Sequence, residues 1–181
     1  MKHVLIALII VSLSLSIVAY AQWAKPQAMA IPQADGYVKI PDAAFPIDKN
    51  STFRAVFDAT RAASKPEQIA PALNMVGAVL NDLTAEGAPV GNSRFVVVFH
   101  GPAVEALLDD AHYRAKFKIA NPNLAVVSEL KKAGVEIYVC GQHLAGENID
   151  PKTLSPDVKV ATDALIVLMT LQNKGYALMS Y

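Results

Sequence analysis

Cys140 is the only cysteine in the chain, and it ends an apolar run, V-E-I-Y-V-C, that G-Q-H-L follows at once. That arrangement reads as a strand running into the first turn of a helix. A sulfur there lies under partly positive backbone amides, which favour an anion. The thiolate is the reactive form of cysteine, and an ordinary thiol is mostly protonated at neutral pH. His143, three residues on, falls on the same face of a helical turn and can supply a cation or a base. The chemistry open to such a group is nucleophilic attack on another sulfur. Two other readings stand beside it. Free cysteine is among the most buried residue types, so Cys140 can be core filler, and a single cysteine can also pair only between chains.

His100 closes a second apolar run, F-V-V-V-F, ahead of Gly101 and Pro102, and Asp58 follows a third, F-R-A-V-F. Three polar groups thus stand at the ends of strand-like segments. Cys140, His143 and His100 form the candidate catalytic set. For His100 the alternative is a histidine that fixes its own turn by bonding loop carbonyls. His112, in D-D-A-H-Y-R, reads as part of a solvated stretch, with Asp109 and Asp110 as a polar helix end. Tyr113, Asn121 and Asn123 can edge a pocket, although helix capping explains Asn121 equally well. A copper or zinc site built from Cys140, His143, His100 and His112 is conceivable. The spacing, however, contains no C-x-x-C pair, no H-E-x-x-H and no haem-attachment pattern. Neither G-x-S-x-G, nor a phosphate-binding glycine loop, nor a dinucleotide fingerprint is present. The reading therefore assigns no cofactor and no metal.

Strands and helices alternate around these groups. Phe53 to Phe57 is a first strand. Ser64 and Glu67 have the spacing of a capping box, and Ile69, Leu73, Val76, Leu80 and Leu83 repeat at helical intervals up to Glu86. Pro71 lies inside that pattern and sets the start of the regular helix near itself. Phe95 to Phe99 is continuously apolar, as in strands covered on both faces. Gly101 and Pro102 open a helical segment, and Asn121 and Pro122 open another that carries Leu124, Val127 and Leu130. Val135 to Val139 is a strand, Val158 to Val160 a very short one, Ala161 to Lys174 a helix apolar almost all round, and Tyr176 to Ser180 a last strand. This order predicts a parallel sheet between two helical layers. In such sheets ligands collect beyond the carboxyl ends of the strands, where the strand order reverses.

Composition narrows the functional classes. Residues 1 to 21 begin with a short positive segment, continue without charge from Val4 to Ala19 and end at Ala19-Tyr20-Ala21, a signal-peptidase pattern. The expectation is an exported protein, periplasmic or secreted, with no stable membrane insertion after cleavage; an uncleaved anchor is the alternative. Without Lys2 the 16 basic residues become 15 against 16 acidic ones, a net charge of minus one. No field of one sign exists to recruit nucleic acid. Residues 22 to 50 hold Pro26, Pro32, Pro41 and Pro46 and form a proline-rich arm; Trp23, Ile31, Tyr37 and Phe45 suggest that part of it docks. Asn50-Ser51-Thr52 matches a glycosylation sequon, relevant only in a eukaryotic secretory route. Residues 51 to 181 are left as one ordinary domain.

The strings V-V-V-F-H-G-P-A-V-E-A-L-L, N-P-N-L, L-K-K-A-G-V-E-I-Y-V-C-G-Q-H-L and L-Q-N-K-G-Y-A-L resemble the DsrE/DsrF-like family, in an exported variant. The resemblance spans Phe53 to Tyr181. It implies a three-layer α/β/α sandwich on a five-stranded, mainly parallel sheet, assembled as a homo-oligomer, a trimer or hexamer. It also implies that Cys140 carries sulfane sulfur as a persulfide and passes it between a donor and an acceptor protein. A non-enzymatic oligomeric module that binds a small ligand is the alternative, with the apolar helix Ala161 to Lys174 against other subunits.

Overall fold

F-V-V-V-F becomes the middle of a five-stranded sheet because both of its faces are covered, which only an unbroken apolar run tolerates. The computed structural model describes residues 23–180; residues 1–22, which hold the expected signal segment, and Tyr181 lie outside the described residues. The strands are β1 (Arg54–Ala59), β2 (Arg94–Phe99), β3 (Glu136–Cys140), β4 (Lys159–Ala161) and β5 (Ala177–Ser180), and the helices α1 (Pro71–Ala85), α2 (Asp110–Phe117), α3 (Asn123–Lys132), α4 (Gly141–Gly146) and α5 (Ala164–Asn173). The order across the sheet is β4-β3-β2-β1-β5. Every pairing is parallel.

Alternation along the strands divides the core in two. Phe57, Phe95, Val97, Phe99, Ile137 and Val139 face the layer made by α1, α3 and Leu144 of α4. Val56, Val96, Val98 and Cys140 face Ala164 and Leu168 of α5. One side of the sheet therefore carries most of the helices, and among the described residues α5 alone crosses the other, touching β1, β2, β3 and β5. Its outer surface stays open, with Leu165 59%, Ile166 56% and Met169 53% exposed.

Several boundaries differ from the sequence reading for local reasons. β1 runs on through Asp58 because its ladder with β2 continues to Ala59 opposite Phe99. Ser64 and Glu67 form no cap; residues 64 to 68 are bends and turns, and α1 begins at Pro71. Proline keeps Ala70 extended, so no helix can pass through it from the N-terminal side. Gly101–Leu107 winds as a 3₁₀ helix before α2, and the D-D-A-H-Y-R stretch is helical, capped by Asp109. α5 starts three residues later than its apolar pattern because Ala161 is still paired in β4.

The arm docks on α1. Asn81, fully buried, accepts from the amides of Ala30 and Ile31 at 2.8 Å each and donates to the carbonyls of Ile31 and Asp35 at 3.0 Å each. One carboxamide thus satisfies four backbone groups that docking would otherwise strand. Ile31 is 0% exposed. Gly77 makes room for this: a Cβ there would lie 2.4 Å from the Cβ of Ala34. One turn earlier on α1, Asn74 pairs with Asp35 through both its amide and its carboxylate.

Candidate functional site

The connection after β3 leaves over the α1 and α3 side, where Leu144 is buried, whereas the connection after β4 is α5, on the opposite side. Adjacent strands whose outgoing chains part in this way mark, at their carboxyl ends, the usual ligand position in open α/β sheets. Cys140 occupies that position, paired with Ala161 of β4. Its Sγ accepts from the amide of Ala164, the first residue of α5, at 3.3 Å. Asp163 caps the same helix and accepts from the amides of Leu165 at 2.7 Å and Ile166 at 3.3 Å. Cys140 is 6% exposed and unpaired.

The helix that serves the sulfur is therefore α5 and not the turn that follows in sequence. Cys140 stands as N-cap of α4, yet its side chain makes no capping bond there. Strand alternation sends Sγ to the α5 face while α4 departs over the other. Gly141 lets the β4 end come close: a Cβ at this position would meet the carbonyl oxygens of Ala161 at 2.7 Å and Thr162 at 3.2 Å.

Asp58 and His100 come together at the same end of the sheet. His100 Nε2 lies 2.6 Å from Asp58 Oδ1, with the side chains 26% and 21% exposed. Asp58 is two residues beyond Val56, and His100 two beyond Val98 on extended backbone, so both lie on the α5 face with Cys140. The β1–β2 ladder reaches His100, whose amide donates to the carbonyl of Ala59 at 3.0 Å. The β2–β3 register, Phe99 opposite Val139, carried one residue further sets His100 abreast of Cys140.

His143 stands apart from the thiol. With His112, Lys116, Glu105 and Glu147 it lines a cavity of about 590 Å³ whose lining does not include Cys140 or His100. Within this cavity Lys116 pairs with Glu105. His112 Nδ1 lies 2.8 Å from Asp109, and bonds from the His112 amide and ring hold the Asp109 carboxyl below its ordinary range. Among the described residues, no three His, Cys, Asp or Glu side chains gather closely enough to hold a metal ion.

Asn121 and Asn123 build structure around the site. Asn121 donates to the carbonyls of Ala106 and Leu108 and accepts from the amide and side chain of Asn123, which in turn accepts from the Ala70 amide at 2.7 Å. Tyr113 donates to the Pro66 carbonyl. The sequence reading named Asp58 as a strand-end group but left it out of the catalytic set. Its signal was an aspartate at even spacing from Val56, visible once the strand is allowed to run to Ala59.

No curated protein matches the chain. Among solved structures, the protein of unknown function MTH1491 from Methanobacterium thermoautotrophicum superposes with a TM-score of 0.51 at 20% identity, over 71% of this chain and 99% of that one. The ychN protein from E. coli gives a TM-score of 0.49 at 17% identity, over 71% and 99%. The first likeness is one of fold. The model of the DsrE/DsrF-like family matches residues 53–181, well over half of the sequence. On that match, the chain belongs to the DsrE/DsrF-like family.

Proposed function

We propose that the protein handles sulfur, with Cys140 holding sulfane sulfur as a persulfide and passing it to a partner thiol. The observation that carries this reading is the Ala164 amide aimed at Cys140 Sγ at 3.3 Å, from the capped start of α5. A helix N-terminus favours an anion, and both a thiolate and a persulfide anion gain from it. The position at the parting of two connections, and membership of a family associated with sulfur relay, support the same reading. Residues 1 to 21 act in this proposal as an export signal, placing the chemistry outside the cytoplasm. The chain works as a homo-oligomer, a trimer or hexamer, in which the open side of α5 is covered by further copies.

Intact-mass spectrometry after incubation with a sulfane-sulfur donor tests the proposal. The wild type gains reductant-sensitive additions of about 32 Da, one sulfur each, and Cys140→Ser gains none while keeping its fold. Loading of the serine variant would overturn the assignment. A second reading, a ligand-binding module without turnover, is favoured by one observation: the 590 Å³ cavity lies away from the thiol. A wild type that takes up no sulfur, with a thiol alkylated only after unfolding, would favour that module.

A further inference from the structure

The strands that end beside the thiol carry one polar pair whose presence the fold does not require. Val56, Val96 and Val98 make the α5 face of β1 and β2 apolar and buried. Asp58 and His100 interrupt that pattern at the rim, where a partly exposed hydrogen-bonded pair contributes little to stability. The pair also caps no helix: His100 stands before the 3₁₀ helix and makes no side-chain capping bond. Gly101, with φ of +59°, then turns the chain toward the opposite side of the sheet, where Ala103 and Val104 are buried. The imidazole is left as the first side chain beyond β2 on the thiol's side.

We propose that Asp58 and His100 manage the proton of the Cys140 thiol, with His100 as the exchanging base and Asp58 as the positioning residue. The inference rests on the reading of Cys140 as a sulfur carrier. In-register neighbours on adjacent strands are roughly 5 Å apart at their backbones, so the His100 and Cys140 side chains leave neighbouring strands side by side on one face. A carboxylate on Nε2 keeps a proton on that nitrogen and leaves Nδ1 as the acceptor. The thiol proton passes to Nδ1, and the thiolate attacks the outer sulfur of a persulfide donor R–S–SH. The new S–S bond forms as the donor's S–S bond breaks. The leaving R–S⁻ takes the proton from the imidazolium, so Cys–SH and R–S–SH become Cys–S–SH and R–SH with no net oxidation. Among the described residues, the other charged groups of these strand ends are Asp163 ahead of α5, engaged by two amides, and Arg61 in the exposed segment after β1.

The test is the rate of Cys140 alkylation by iodoacetamide from pH 5 to 10, in the intact protein and in His100→Gln, Asp58→Asn and Asp58→Glu. The wild-type profile carries a limb that follows the imidazole. His100→Gln loses that limb and reacts about tenfold or more slowly at pH 7; Asp58→Asn moves the same way, and Asp58→Glu recovers part of the loss. Profiles that superimpose on wild type, in a His100→Gln variant with unchanged circular dichroism, overturn the inference. A purely structural pair would lower the melting temperature and leave the profile alone. Sulfur uptake, read by mass on the same samples, separates the two proposals. Wild type that never loads sinks the carrier reading whatever the profiles show, whereas loading with superimposed profiles sinks only the pair.

Discussion

Gly141 decides how near the sulfur lies to its helix. With only hydrogen on its Cα, the β4 end closes to a distance that a methyl group would forbid, and the Ala164 amide reaches Sγ. In Gly141→Ala the added carbon meets backbone and not a yielding side chain, so the loop before α5 must retreat. A loss of about 1–3 kcal/mol in urea denaturation is expected. Alkylation of Cys140 changes with it, because the amide contact lengthens. A variant with wild-type stability and thiol reactivity would show that the approach is not constrained. Cys140 itself was legible as a strand-end sulfur from V-E-I-Y-V-C-G. Which helix it faces was not, because that depends on the side of the sheet each connection takes. The same reason separates His143 from the thiol: three residues in sequence carry it around to the other layer.

At the scale of elements, α1 shows both what periodicity reveals and what it hides. Leu73, Val76, Leu80 and Leu83 announced a helix with one apolar face, and all are buried. Asn81 gave no such signal, since its four bonds are to chain some fifty residues earlier. Asp82, its neighbour, is pushed above the ordinary carboxyl value of 3.8 by burial. A raised carboxyl keeps its proton longer in the folded state, so the penalty grows as pH climbs from 3.8 through the folded value. Asp82→Asn should therefore raise the melting temperature at pH 7, with the gain vanishing below about pH 3.8. Equal melting at pH 7 would mean that the burial carries no penalty. β2 was legible throughout, because two covered faces leave an unbroken apolar string. The Ser64 cap failed because a nearby proline outranks a capping pattern.

The whole molecule is unevenly clothed. Among the described residues, one face of the sheet lies beneath α1 and α3 and the other beneath α5, whose Leu165, Ile166 and Met169 face outward. β5 at the sheet edge is exposed along its length. Apolar surface of this kind marks association sites. Light scattering of the wild type is expected to give a mass of three or six chains, and Ile166→Glu a monomer with unchanged helix content. A wild-type monomer at micromolar concentration would remove the oligomer. The alternation of strand and helix made the α/β class readable, while the unequal layers come from one long crossover, β4 to β5, that no local pattern encodes.

The arm's hold on Asn81 has a consequence in time as well as in energy. Residues 27 to 37 can grip α1 only once α1 is formed, so Asn81→Ala is expected to speed unfolding more than it slows folding in stopped-flow denaturant jumps. Interactions formed late leave the speed of folding nearly untouched and slow the reverse step. On that outcome the arm is a brake on opening; equal slowing of folding would place its grip before the barrier instead.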